Sequence, residues 1–383
     1  MTQNLIERIL EINLPPKKSA FLWGPRKTGK TTFLKQKFKD ALWVDLLDYN
    51  IYFELNKNPT YLRQIISASN KTVVVIDEVQ KIPAILDEIH WLIENKNIQF
   101  ILCGSSARKL RRITGGLIGG RAWRFEMFPF VSKEIGIEKL DLNKVLLYGL
   151  IPSHYLSTNP EMDLKAYVND YLKEEIQAEA FVRKIGNFSK FLYYTAFSNA
   201  NIVNYSNIAR ECGVSVKTVI DYYSILEDTL IGRFLIPWTK KKKRRLIETF
   251  KFYFFDTGIV NALLNRKELL KGTMDYGQLF EHFIINECLA YSKYTGKHFP
   301  LYFYRTASGN EVDLILGEGE VAIEIKASET SNYRLKGLHI FSDEQKPRKK
   351  IVISLEPLPR KVGDTLFLPY KEFLKMLWSG EII

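Results

Sequence analysis

Two rhythms of apolar and polar positions run along this chain, and they predict its elements. Ala20-Phe21-Leu22-Trp23 is a short continuous apolar run that reads as a strand. A turn rich in glycine follows, and Thr32 to Phe38 then takes helical spacing. Upstream, Leu5, Ile6, Ile9, Leu10 and Ile12 predict a short amphipathic helix over residues 2–14. Residues 41–46 read as a second strand and 59–69 as a helix. Thr72-Val73-Val74-Val75-Ile76 is a β-branched run with no polar alternation, the pattern of a strand buried on both faces of a parallel sheet. Phe100-Ile101-Leu102-Cys103 repeats it.

The middle of the chain is helical by the same test. Helices are expected over 139–148 and 164–179, with a break at Gly149-Leu150-Ile151-Pro152. Residues 204–226 have a helix-turn-helix rhythm: one helix ends at Gly213, Ser215 caps the next, and Val219, Tyr222, Tyr223 and Leu226 form its apolar face. Strands are expected over 229–237 and 249–255, after which Asp256 or Thr257 caps a helix over 259–264. Residues 277–287 predict a helix and 301–305 a strand. Residues 311–316 and 321–326 predict a hairpin around Gly317-Glu318-Gly319-Glu320.

Composition narrows the class. A chain of 383 residues exceeds one ordinary core and predicts several domains, taken here as 1–125, 126–190, 191–262 and 263–383. No apolar run reaches membrane-spanning length, so no membrane partner is expected. Three scattered cysteines form neither a disulfide framework nor a zinc spacing, which points to a reducing cytoplasm. A net charge of +12 suits a polyanionic partner.

Gly24-Pro25-Arg26-Lys27-Thr28-Gly29-Lys30-Thr31 fits G-x-x-x-x-G-K-[ST] at every fixed position, between a strand and a helix. Such a loop turns its backbone N–H groups onto phosphates, and Gly24 through Thr32 are the expected ATP-binding residues. Lys30 would reach the β- and γ-phosphates and Thr31 would bind Mg²⁺. Asp77 and Glu78 end the β-branched strand, where open α/β sheets bind ligands. Asp77 would hold Mg²⁺ through water and Glu78 would polarise the attacking water. Ser105, after the next strand, would position that water.

Two further constellations follow. Lys240, Lys241, Lys242, Lys243, Arg244 and Arg245 fall between the two strands of the middle region, at the tip of a hairpin. With Lys217 on the second helix, they are the expected DNA contacts, made to phosphates more than to bases. In the last region, alternation puts Glu324 and Lys326 on one face of their strand, with Asp313 on the partner strand. Asp313 and Glu324 would bind Mg²⁺, Lys326 would orient or help deprotonate a water, and Glu281 would be an additional ligand or would hold a metal-bound water.

These motifs carry a resemblance. Gly24-Pro25-Arg26, Asp77-Glu78-Val79-Gln80-Lys81-Ile82-Pro83, Gly104-Ser105-Ser106 and Gly119-Gly120-Arg121 resemble one subfamily of archaeal and bacterial AAA+ ATPases. Its members join a P-loop ATPase domain and helical lid to a winged helix and a C-terminal nuclease-like domain, so the resemblance implies a multidomain α/β protein. It also implies that Arg121 is either an arginine finger reaching a neighbouring subunit, within a homo-oligomer, or a sensor arginine in its own subunit. Glu281, Asp313 and Glu324-x-Lys326 resemble the PD-(D/E)xK nuclease superfamily, with Val312 in place of the usual proline. The combined expectation is Mg²⁺-dependent ATP hydrolysis coupled to DNA binding, with DNA cleavage or remodelling. The alternative is a nucleotide-dependent switch or scaffold whose nuclease-like domain is an inactive docking module.

Overall fold

The computed structural model describes residues 5–105, 120–172, 185–239, 250–328 and 335–383. Five parallel strands form the first sheet in the order β2-β3-β4-β1-β5, with β1 Ser19–Trp23, β2 Leu42–Asp45, β3 Val73–Asp77, β4 Gln99–Gly104 and β5 Ala122–Glu126. Strand alternation divides the core between its two faces. Phe21, Val44, Val74, Ile76, Phe100 and Leu102 pack on one side. Ala20, Leu22, Val75, Ile101 and Cys103 pack on the other. Helices Lys30–Lys37, Tyr49–Lys57, Tyr61–Ser69 and Ile85–Lys96 connect the strands, so the ends of β1, β3 and β4 open onto one rim.

Residues 5–14 are not the helix that their spacing predicts. The segment is held by tertiary bonds instead. Glu134 accepts from the Ile9 backbone N–H and from Arg8, and Leu10 and Ile12, two positions apart, are both buried. Pro15 and Pro16 then end it. The helix Tyr49–Lys57, capped by Asp48, was not expected from the sequence. Of the helix predicted over 164–179, residues 164–166 close the α-helix Pro160–Ala166 and 167–172 form a π-helical turn; 173–179 lie outside the described residues.

The middle region has helices Ile185–Phe197, Tyr205–Cys212 and Val216–Asp228, then an antiparallel pair, β6 Gly232–Pro237 and β7 Lys251–Phe254. The capping is as predicted: Gly213 takes φ 66° and the Ser215 side chain accepts from the Thr218 backbone N–H. Asp256 caps Thr257–Leu263. The second sheet has the order β12-β13-β11-β10-β9-β8-β6-β7. It adds β8 Leu301–Arg305, β9 Glu311–Leu316, β10 Val321–Lys326, β11 Lys349–Ser354, β12 Arg360–Val362 and β13 Thr365–Pro369. The β6–β7 hairpin therefore belongs to the same sheet as the C-terminal strands: Ile236 pairs with Tyr302, Pro237 with Phe303, and the Trp238 N–H donates to the Phe303 carbonyl at 2.6 Å. One apolar core, from Phe128 to Ile382, underlies the helices after β5, the hairpin and one face of this sheet. The long helix Met274–Tyr294 runs through it.

Candidate functional site

The loop after β1 is built as its residue types require. Gly29 takes φ 90° and Lys27 φ 60°, so the chain turns tightly into the helix Lys30–Lys37. A Cβ at Gly24 would stand 2.5 Å from the Met127 carbonyl. The Thr28 hydroxyl donates to the Pro25 carbonyl at 2.7 Å, and the Lys30 ammonium bonds the Gly24 and Pro25 carbonyls at 2.8 and 3.0 Å. Its charge therefore lies over the concave side of the loop. The Thr31 hydroxyl donates to Asp77 Oδ2 at 2.6 Å, which joins the loop to the end of β3. A hydroxyl and a carboxylate meeting there are hard oxygen donors, and they fit a Mg²⁺–nucleotide.

Glu78 follows Asp77 with φ 57°. Its Oε2 accepts from the Gln80 amide at 2.5 Å, and the same amide donates to the Ser105 hydroxyl at 3.1 Å. Gln80 is almost fully buried and ties the two sequence-predicted water-handling residues together. The sequence places it in the phrase from Asp77 to Pro83 without showing its partner across the sheet, because the β3–β4 juxtaposition brings Ser105 to it. Arg8 is a second residue that the sequence conceals. Its buried guanidinium donates to the Thr28 carbonyl at 2.7 Å, the Phe128 carbonyl at 2.7 Å, the Tyr294 hydroxyl at 3.1 Å and Glu134 at 2.9 Å.

Arg121 is not brought to this site. It precedes β5, its carbonyl accepts from the Ser19 N–H at the opposite end of β1, and its guanidinium pairs with Glu94. A sensor arginine within the same subunit is thus not in place. Lys217 is exposed in the first turn of Val216–Asp228. Lys240, Lys241, Lys242, Lys243, Arg244 and Arg245 lie outside the described residues.

The C-terminal acids do converge, on an open cavity of about 900 Å³ lined by Glu281, Glu311, Asp313, Glu324, Lys251 and Lys326 among others. Lys326 Nζ stands 2.6 Å from Glu324 and 3.6 Å from Asp313, and the Ile325 N–H donates to Asp313 at 2.7 Å. Lys251, from β7, stands 2.9 Å from Glu281 and 2.6 Å from Glu311. The Tyr253 hydroxyl donates to Glu281 at 2.6 Å. Burial, helped by Asp313, pushes the Glu324 carboxyl up to about 8. Burial also raises Glu281. Against burial, the carboxylates around Lys251 and Lys326 hold both ammoniums above their ordinary value. The three expected metal ligands, Glu281, Asp313 and Glu324, line this one cavity. The donor chemistry suits Mg²⁺, but among the described residues no three His, Cys, Asp or Glu groups are placed to share an ion. The two lysines hold the carboxylates instead. Lys251 was legible in one respect: it is a lone charge inside Phe250-Lys251-Phe252-Tyr253-Phe254, and a buried lysine needs a partner.

Residues 16–136 match the AAA domain family, 139–270 match a domain of unknown function, DUF8612, and 276–373 match another, DUF4143. The chain therefore carries an AAA ATPase-like domain followed by a DUF4143 domain. Its relatives are distant. An uncharacterised protein of Mycobacterium tuberculosis is 23% identical over 86% of this chain and 75% of its own. One of Methanocaldococcus jannaschii is 24% identical over 86% and 80%. One of Haemophilus influenzae is 23% identical over 72% and 75%. Among the described residues, no helix is long and apolar enough to cross a membrane.

Proposed function

We propose that this protein hydrolyses ATP and couples the hydrolysis to binding DNA. The observation that carries the reading is the Thr31–Asp77 hydrogen bond, with Glu78, Gln80 and Ser105 linked beside it. The loop N–H groups and Lys30 bind the β- and γ-phosphates, and Thr31 and Asp77 hold Mg²⁺. Bound with the nucleotide, Mg²⁺ neutralises phosphate charge. Glu78 orients and polarises a water whose oxygen bonds to the γ-phosphorus as the bridging oxygen to the β-phosphate leaves. Lys30→Ala is expected to abolish hydrolysis, and Glu78→Gln to keep ATP binding while losing turnover. Hydrolysis by Lys30→Ala at the parent rate would overturn the assignment.

The DNA contact falls to the three helices and the β6–β7 hairpin, read as a winged helix with Lys217 and the cations of 240–245 on backbone phosphates. Neutralising residues 240–245 should weaken DNA binding and flatten its dependence on salt, because fewer counterions are released. The C-terminal cavity is read as a nuclease-like fold. A second reading, a nucleotide-dependent switch with an inactive docking domain, is favoured by one feature: Lys251 and Lys326 already hold the acids of that cavity. Arg121 acting on a neighbouring subunit belongs to either reading and requires a homo-oligomer.

A further inference from the structure

The phosphate loop is held from outside its motif, by a guanidinium from the segment before β1. Arg8 Nη1 donates to the Thr28 carbonyl at 2.7 Å, and a Cβ at Gly29 would lie 3.5 Å from the same nitrogen. The guanidinium thus lies against the Thr28–Gly29 peptide. A trans peptide points its C=O and its N–H in opposite directions. Fixing the Thr28 carbonyl on Arg8 therefore aims the Gly29 N–H away from Arg8. Arg8 itself has little freedom. Its Nε donates to Glu134 at 2.9 Å, and its Nη2 donates to the Phe128 and Pro129 carbonyls at 2.7 and 3.1 Å and to the Tyr294 hydroxyl at 3.1 Å. Tyr294 closes the long helix Met274–Tyr294, in the region matched to DUF4143, and its hydroxyl also accepts from the Phe128 N–H at 3.1 Å. Its ring packs edge-on against Phe128, with centroids 5.7 Å apart.

We propose that Arg8 is a positioning residue for the phosphate cradle and that Tyr294 holds it in place, so that the end of a C-terminal helix takes part in nucleotide affinity; this rests on the ATP reading above. The planar fork of a guanidinium lets one side chain meet Glu134, Tyr294 and the loop carbonyl at fixed angles. An ammonium in its place keeps the charge opposite Glu134 but not that geometry. The long helix carries Glu281 at the C-terminal cavity and Tyr294 at its end. A shift of that helix moves Tyr294, then Arg8, then the peptide whose N–H faces the phosphates. Coupling between binding free energies is reciprocal, so nucleotide on the loop holds the end of the helix more firmly in return.

The test uses the full chain, Mg²⁺ and a fluorescent non-hydrolysable ATP analogue, with melting temperature measured beside the dissociation constant. Arg8→Lys is expected to weaken analogue binding by about tenfold or more, for the loss of one charge-assisted hydrogen bond to the loop. Tyr294→Phe is expected to weaken it by about threefold. The double variant should bind no more weakly than Arg8→Lys, because Tyr294 acts through Arg8. Bound analogue should slow amide hydrogen exchange at the end of the long helix in the parent and not in Arg8→Lys. An arginine that only stabilises the fold would lower the melting temperature and leave the affinity of the folded protein unchanged, and that result overturns the proposal. Effects of the two substitutions that add in full overturn it as well. Should Arg8→Lys not fold, Tyr294→Phe decides: weaker binding supports the proposal and equal binding refutes it. Failure of the parent to bind the analogue sinks the ATP reading and the proposal together. Binding by the parent, with equal affinity in both variants, sinks the proposal alone.

Discussion

Gly104 ends β4 beside Gln80 and Trp23, and its lack of a side chain is what lets Gln80 sit between Glu78 and Ser105. A Cβ there would collide with Gln80 Oε1 and lie 2.7 Å from the Trp23 ring. Gly104→Ala should therefore displace Gln80 and cost about 1–3 kcal/mol of stability by overpacking. If Gln80 positions Glu78, kcat for ATP falls by about tenfold or more while KM for ATP holds. An unchanged kcat in Gly104→Ala and in Gln80→Leu would remove Gln80 from that role. At this scale, fixed spacing made the site legible. Lys30, Thr31, Asp77 and Glu78 could be read directly, because a phosphate loop and a strand end have invariant chemistry. Gln80, Arg8 and Lys251 could not be read as site residues, because Ser105, Glu134 and Glu281 reach them only when distant elements meet.

The long helix Met274–Tyr294 carries an acid into apolar surroundings. Buried Glu287 accepts from the Ser132 N–H and hydroxyl, both at 2.7 Å, and from the Trp378 indole at 2.8 Å. Burial outweighs these donors and pushes its carboxyl up to about 7. A carboxyl raised on folding binds its proton more tightly in the folded state. Its stabilising contribution is complete below about pH 4.5 and is lost as pH rises through about 7. The loss is at most roughly 3 kcal/mol. The fall in melting temperature from pH 5 to pH 8 should thus be smaller in Glu287→Gln than in the parent, and identical slopes would refute the assignment. Strands and caps were the legible elements: the buried runs, Gly213, Ser215 and Asp256 all act where the sequence put them. Residues 5–14 show the limit, since helical spacing of apolar residues gave way there to the bonds that Arg8 and Ile9 make with Glu134.

For the whole molecule, Arg8 is the point where the phosphate loop, the chain leaving β5 and the end of the long helix meet, through Thr28, Phe128 and Tyr294. Its partner Glu134 has a fully buried side chain. Arg8→Ala strands that carboxylate and is expected to cost about 3–5 kcal/mol in chemical denaturation, whereas Arg8→Ala/Glu134→Gln recovers part of the loss. A loss below about 1 kcal/mol would mean that the junction is not held by this pair. The pairing of β6 with β8 has a consequence of another kind, for descent. The matched regions 139–270 and 276–373 look like separable units along the chain, yet they contribute neighbouring strands to one sheet and side chains to one core. A recombination event between them would hand each daughter protein a bare strand edge and half a core, an invitation to aggregate. Lineages that carry this form of the second region should therefore have inherited the third with it, as a single piece of genetic cargo.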